Sequence, residues 1–150
     1  MRVLCRTLAE ASKRRVLIFV AGGGILADAV RKLDEAYHLN PETAHWMATL
    51  CLDQYGLLLA QLIPNARASS SLGGAYKLAK QHIPTVFLPY RLLKAENPLE
   101  ASWNVTSDSI AAYLAWRFKA EKLVLLKDVD GIFMPPFSKN RKGKLLRKVA

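Results

Sequence analysis

With 150 residues, 51% of them hydrophobic, the chain has the apolar material for one packed domain, which excludes wholesale disorder. No apolar stretch is long enough to span a bilayer, and Arg2, Arg6 and Glu10 interrupt the N-terminus where a signal peptide would be apolar; a cytoplasmic protein is expected. Six of the +10 formal charges fall on Lys139, Arg141, Lys142, Lys144, Arg147 and Lys148, with no aromatic residue between them, so the excess reads as a solvated tail and nucleic acid is not expected as a partner.

In chain order, the spacing of apolar residues from Val3 to Lys13 predicts a helix, and Arg15 to Val20 predicts a strand. That strand runs into Gly22-Gly23-Gly24 and a helix to about Tyr37. Pro41 opens a longer helix to about Ile63, at a position where proline's missing N–H costs little. Ser69 to Ser71 cap a helix through Lys80, Pro84 to Leu88 is a short β-rich run, and Pro89 to Ser102 reads as a proline-punctuated loop. Thr106 or Ser107 then caps a helix from Asp108 to Phe118, which feeds an apolar strand from Leu123 that ends in Lys127-Asp128-Val129-Asp130-Gly131. Strands alternating with helices, without hairpin signals, predict a three-layer α/β/α sandwich with a mainly parallel sheet. Residues 1–138 are expected to form that domain and 139–150 a basic tail. Only three convincing strands are present, so the order reads like the middle of a larger α/β domain.

In α/β proteins ligands collect at the carboxyl ends of strands, and two such ends stand out. Gly22, Gly23 and Gly24 let backbone amides approach an anion at a helix N-terminus, or simply make a tight turn. No Gly-Lys-Ser/Thr follows, so this is not a Walker A loop. Gly22-x-Gly24-x-x-Ala27 matches a dinucleotide fingerprint only formally, since no strand ending in an acid follows at the required distance. Asp108, in a first helical turn, either caps the helix or holds a lysine or a metal-bound phosphate, and Asn104 offers an amide to a substrate. Lys127, Asp128 and Asp130 either contact a nucleotide or metal or are the solvated charges of a turn. His38, His45 and His82 show no ligand spacing, Cys5 and Cys51 read as buried thiols, and no metal site is expected in the chain itself.

Taken together, Gly22 to Arg31, Asn104 to Ala112 and Leu125 to Phe133 resemble the amino acid kinase superfamily, which includes aspartokinase, acetylglutamate kinase and uridylate kinase. Ala44-His-Trp-Met-Ala48, Asp53-Gln-Tyr-Gly56 and Ser102-Trp103 more narrowly resemble its small kinases of methanofuran biosynthesis, which act on an aminomethylfuran-methyl phosphate. The resemblance implies an ATP-dependent phosphotransferase with Mg2+ on the nucleotide, a small-molecule phosphoryl acceptor and a homo-oligomer. It implies that Gly22, Gly23 and Gly24 face the acceptor and the transferred phosphoryl group, Asn104 the acceptor, Asp108 the catalytic lysines, and Lys127, Asp128, Asp130 and Gly131 the ATP. The family's first strand carries Lys-x-Gly-Gly-Ser, which nothing before Val16 matches, and the family continues well past Asp-Val-Asp-Gly. The expectation is a partial domain with weak turnover by this chain alone; the alternative is an inactive member that keeps a ligand- or protein-binding role.

Overall fold

The computed structural model describes residues 1–127 together with the backbone pairing of Ile132–Phe133 and Leu145–Leu146. Helix α1 (Arg2–Ser12) precedes strand β1 (Ile18–Phe19), helices α2 (Gly24–Tyr37) and α3 (Pro41–Leu62), strand β2 (Arg67–Ser69), helix α4 (Leu72–Lys80) and strand β3 (Thr85–Phe87). Helices α5 (Tyr90–Glu96) and α6 (Ser107–Arg117) follow, then β4 (Ile132–Phe133) and β5 (Leu145–Leu146). Three strands form a parallel sheet in the order β1-β3-β2, with Phe19 opposite Val86 and Ser69 opposite Phe87.

The centre of this sheet is buried on both faces, as its apolar composition requires. Successive side chains of β3 point to opposite sides. Val86 packs with Cys5, Ala9 and Ile63, whereas Phe87 packs with Leu52, Ala75, Leu93, Ile110 and Leu114. Helices therefore cover both faces, which is the α/β layering expected. Phe87 and Leu93 are almost completely buried, each worth about 2–3 kcal/mol of transfer free energy. Cys5 and Cys51 are buried free thiols, as expected. Among the described residues no helix is long and apolar enough to cross a membrane.

Local chemistry sets the helix ends. Asn40 Oδ1 accepts from the Thr43 backbone N–H at 2.8 Å, with Pro41 at the first helical position of α3. Asn40→Ala should cost about 1 kcal/mol in urea unfolding, because one N–H of the first turn loses its partner. An unchanged midpoint would show that α3 is held by its packing alone. Ser71 caps α4 through the Gly74 N–H at 3.1 Å, as predicted.

Three expectations need correction. The stretch from Pro89 is not a loop throughout: it holds α5, whose N-cap is Pro89 and whose C-cap Asn97 turns left-handed at φ 41°. Asp53 Oδ1 accepts from the Tyr90 N–H at 3.0 Å and so ties the start of α5 to α3. The short strand β2 was not expected; Arg67-Ala68-Ser69 lacks β-branched residues and is a strand because β3 pairs with it. Over 123–127 the expected strand from Leu123 pairs with no strand among the described residues, and Val124 and Leu126 are exposed. An apolar run creates a demand for burial but supplies no hydrogen-bonding neighbour, and the ladder that does form, β4 with β5, is antiparallel.

Candidate active site

The carboxyl end of β1 leads through Val20 and Ala21 into the glycine turn, and α2 begins at Gly24 with Gly23 as its N-cap. Gly24 has φ +48°, and a Cβ there would lie 2.9 Å from the Tyr55 ring, so only glycine fits. A Cβ on Gly23 would meet the Ala27 side chain at 2.5 Å. Gly22 is different: its nearest neighbour would be the Ser107 hydroxyl oxygen at an ordinary 3.5 Å. The three glycines thus do different jobs, two serving the start of α2 and one bringing open backbone beside the start of α6.

Asp108 follows Ser107 in the first turn of α6. Thr106 is the N-cap residue but its side chain makes no capping hydrogen bond, and Asp108 does not cap either. Instead its two carboxylate oxygens lie 2.8 and 2.7 Å from Lys127 Nζ. Asp108 therefore pairs with a lysine side chain and does not cap the helix. Both partners are about 40% exposed, so the pair orients the ammonium and adds little to stability. Asp128, Asp130 and Gly131 lie outside the described residues.

A cleft of about 740 Å³ opens next to this constellation, between α2, α3 and the segment 100–107. Gly23, Gly24, Asn104 and Ser107 line one part of it; His45 and Thr49 line the α3 side. Burial, reinforced by the Lys94 ammonium, lowers the pKa of His45 below the usual imidazole value, which favours the neutral ring. Lys94 stacks 4.2 Å over Trp46, whose indole N–H donates to Glu42, so α5 braces this part of α3. Two acids of the region differ for physical reasons. Hydrogen bonds from Trp46 and Lys94 lower the pKa of Glu42, whereas burial raises that of Asp53 against the Tyr90 N–H. A more open hollow of about 480 Å³ lies at the other end of α6, around Trp116 and Lys122, away from these strand ends.

The structure brings Gly22, Gly23, Gly24, Asn104, Asp108 and Lys127 to one end of the sheet. Sequence reasoning missed Arg31 and Asp34, which line the cleft from α2, and assigned no role to Trp103, which they contact. Their spacing of three residues on the helix after the glycine turn was the available signal.

The sequence profile of the amino acid kinase family matches residues 1–150. The chain belongs to the amino acid kinase family. Among its relatives is the [5-(aminomethyl)furan-3-yl]methyl phosphate kinase of Methanocaldococcus jannaschii, 29% identical over 141 residues, which cover 94% of this chain and 62% of that protein. The fold is also that of a uridylate kinase from Archaeoglobus fulgidus, with a TM-score of 0.68 at 21% identity over 90% of this chain and 59% of the other. This family member therefore spans about three fifths of each of these two proteins.

Proposed function

We propose that the chain is an ATP-dependent phosphotransferase that carries the γ-phosphoryl group of ATP to a small phosphorylated acceptor, an aminomethylfuran phosphate. The observation that carries this reading is the convergence of the glycine turn, the Asp108–Lys127 pair and the acceptor cleft at one end of a parallel sheet. The name of the methanococcal relative supports the choice of acceptor.

In this reading an oxygen of the acceptor's phosphate attacks the γ-phosphorus, a new P–O bond forms, the bond to the β,γ-bridging oxygen breaks, and ADP leaves with the electron pair. Phosphoryl transfer asks the protein mainly for position and charge neutralisation. Gly22 to Gly24 and the N-terminus of α2 face the acceptor and the moving phosphoryl group, and Asn104, which lines the same part of the cleft, holds the acceptor. Lys127, oriented by Asp108, meets negative charge on the nucleotide side, where Asp128, Asp130 and Gly131 are its sequence neighbours. Among the described residues no three acids, histidines or cysteines gather around a common point, and both oxygens of Asp108 are engaged by Lys127. Mg2+ carried by the nucleotide phosphates would neutralise charge there.

The reading predicts ADP release that depends on the acceptor when the chain is mixed with Mg-ATP and [5-(aminomethyl)furan-3-yl]methyl phosphate. Absence of both acceptor-dependent ADP and calorimetric acceptor binding would remove it. Gly22→Val is the sharper probe of the turn, because its Cβ would meet only Ser107, at ordinary contact distance. Acceptor binding should weaken by about tenfold or more, as expected for loss of a well-made charged contact, with the melting temperature nearly unchanged. Wild-type affinity in that variant would take the turn out of the site.

A further inference from the structure

Three side chains build a wall of the cleft away from the glycine turn. The Trp103 indole N–H donates to Asp34 Oδ2 at 2.6 Å, and the Arg31 guanidinium lies 4.3 Å from the centre of the Trp103 ring. All three line the cleft. Arg31 and Asp34 are three residues apart on α2 and share one helix face, so both grip the same indole. The ring has its N–H fixed and one face covered, which leaves it little freedom to swing. Arg31 and Asp34 stand seven and ten residues beyond Gly24, which places the wall about 10–15 Å along the helix from the glycine turn.

We propose that Trp103 is a specificity-determining residue: clamped by Asp34 and Arg31, its indole closes the cleft and restricts the acceptor to a single small ring carrying its phosphate, against nucleoside monophosphates. The inference rests on the phosphotransferase reading of the same cleft. At about 740 Å³ the cleft has room for either class of molecule, so volume does not discriminate. The position of the wall does. With its phosphate at the glycine turn, a single-ring phosphate ends before Trp103, whereas a nucleoside monophosphate, with sugar and base in series, runs into it. Asn104 follows Trp103 directly, so the clamp also fixes the backbone from which the acceptor amide projects.

The test is calorimetric binding to the 150-residue chain, with [5-(aminomethyl)furan-3-yl]methyl phosphate and uridine monophosphate as probes. Wild type should favour the furan phosphate by about a hundredfold, and Trp103→Ala should narrow that ratio at least about tenfold, mostly by admitting the nucleotide. Asp34→Asn keeps a carbonyl oxygen to accept the indole N–H and should keep the wild-type ratio, whereas Asp34→Ala should narrow it. The Asp34 pair gives the same readout even if Trp103→Ala fails to fold. A merely structural role would weaken both probes alike and leave the ratio unchanged. Furan phosphate binding with an unchanged ratio in Trp103→Ala and Asp34→Ala overturns the inference alone; a wild type that binds neither probe overturns the kinase reading with it.

Discussion

Asp108→Asn is expected to lower kcat by about two to three orders of magnitude in a form of this protein that turns over ATP, with little change in melting temperature. The amide keeps the size of the carboxylate but not its charge, so Lys127, now held at 2.7–2.8 Å, loses its anchor. The helix end should survive, because the cap position belongs to Thr106 and the exposed carboxylate adds only a few tenths of a kcal/mol through the helix dipole. Lys127→Met should reproduce the loss, and the double variant should be no slower than the slower single one, since the two groups act as a unit. Multiplicative losses in the double variant would mean that Asp108 and Lys127 act separately. A fall in melting temperature that matches the fall in activity would return Asp108 to a structural role.

Gly24→Val should destabilise the protein by about 2–5 kcal/mol, adding the cost of a left-handed non-glycine residue to that of overpacking. The backbone there has φ +48°, which a β-branched residue resists, and the new Cβ would sit 2.9 Å from the Cε2 and Cζ atoms of Tyr55. A rigid ring cannot fold away as a lysine tip would, so either α2 or α3 has to move. Chemical denaturation with far-ultraviolet circular dichroism measures the effect. A cost below about 1 kcal/mol would mean that the turn relaxes to a conformation open to ordinary residues.

Much of this arrangement was legible locally. Pro84 before Thr-Val-Phe, the glycine triplet after Val16 to Val20, and Ser71 three residues before Gly74 each announce their element through a nearest-neighbour constraint. What escaped depends on partners distant in sequence. Arg67 to Ser69 is a strand only because Thr85 to Phe87 lies beside it, and nothing in those three side chains says so. Helix α5 hid behind its prolines, although Pro89 before a helix and Asn97 after it are ordinary start and stop signals. The run from Leu123 to Leu126 showed the opposite error, since its composition is that of a buried strand and it makes no ladder among the described residues. In the site, the residue types at Gly22 to Gly24 and Asp108 pointed to anion chemistry from sequence. The Asp34–Trp103 hydrogen bond spans 69 positions and leaves no local trace.

The place of β3 in the sheet also governs timing. Among the described residues β1 and β2 each pair with β3, so these two ladders cannot form until Thr85 to Phe87 exist. On a ribosome adding about 5–20 residues per second, β1 waits several seconds for its partner. Helices α2 and α3 can coil meanwhile on local contacts alone, and synthesis of β3 is the event that converts them into a sheet-backed layer. Substitutions at Val86 or Phe87 should therefore slow folding as well as weaken the folded state, whereas changes at Trp103 or Lys127, which join later, should act on the unfolding rate.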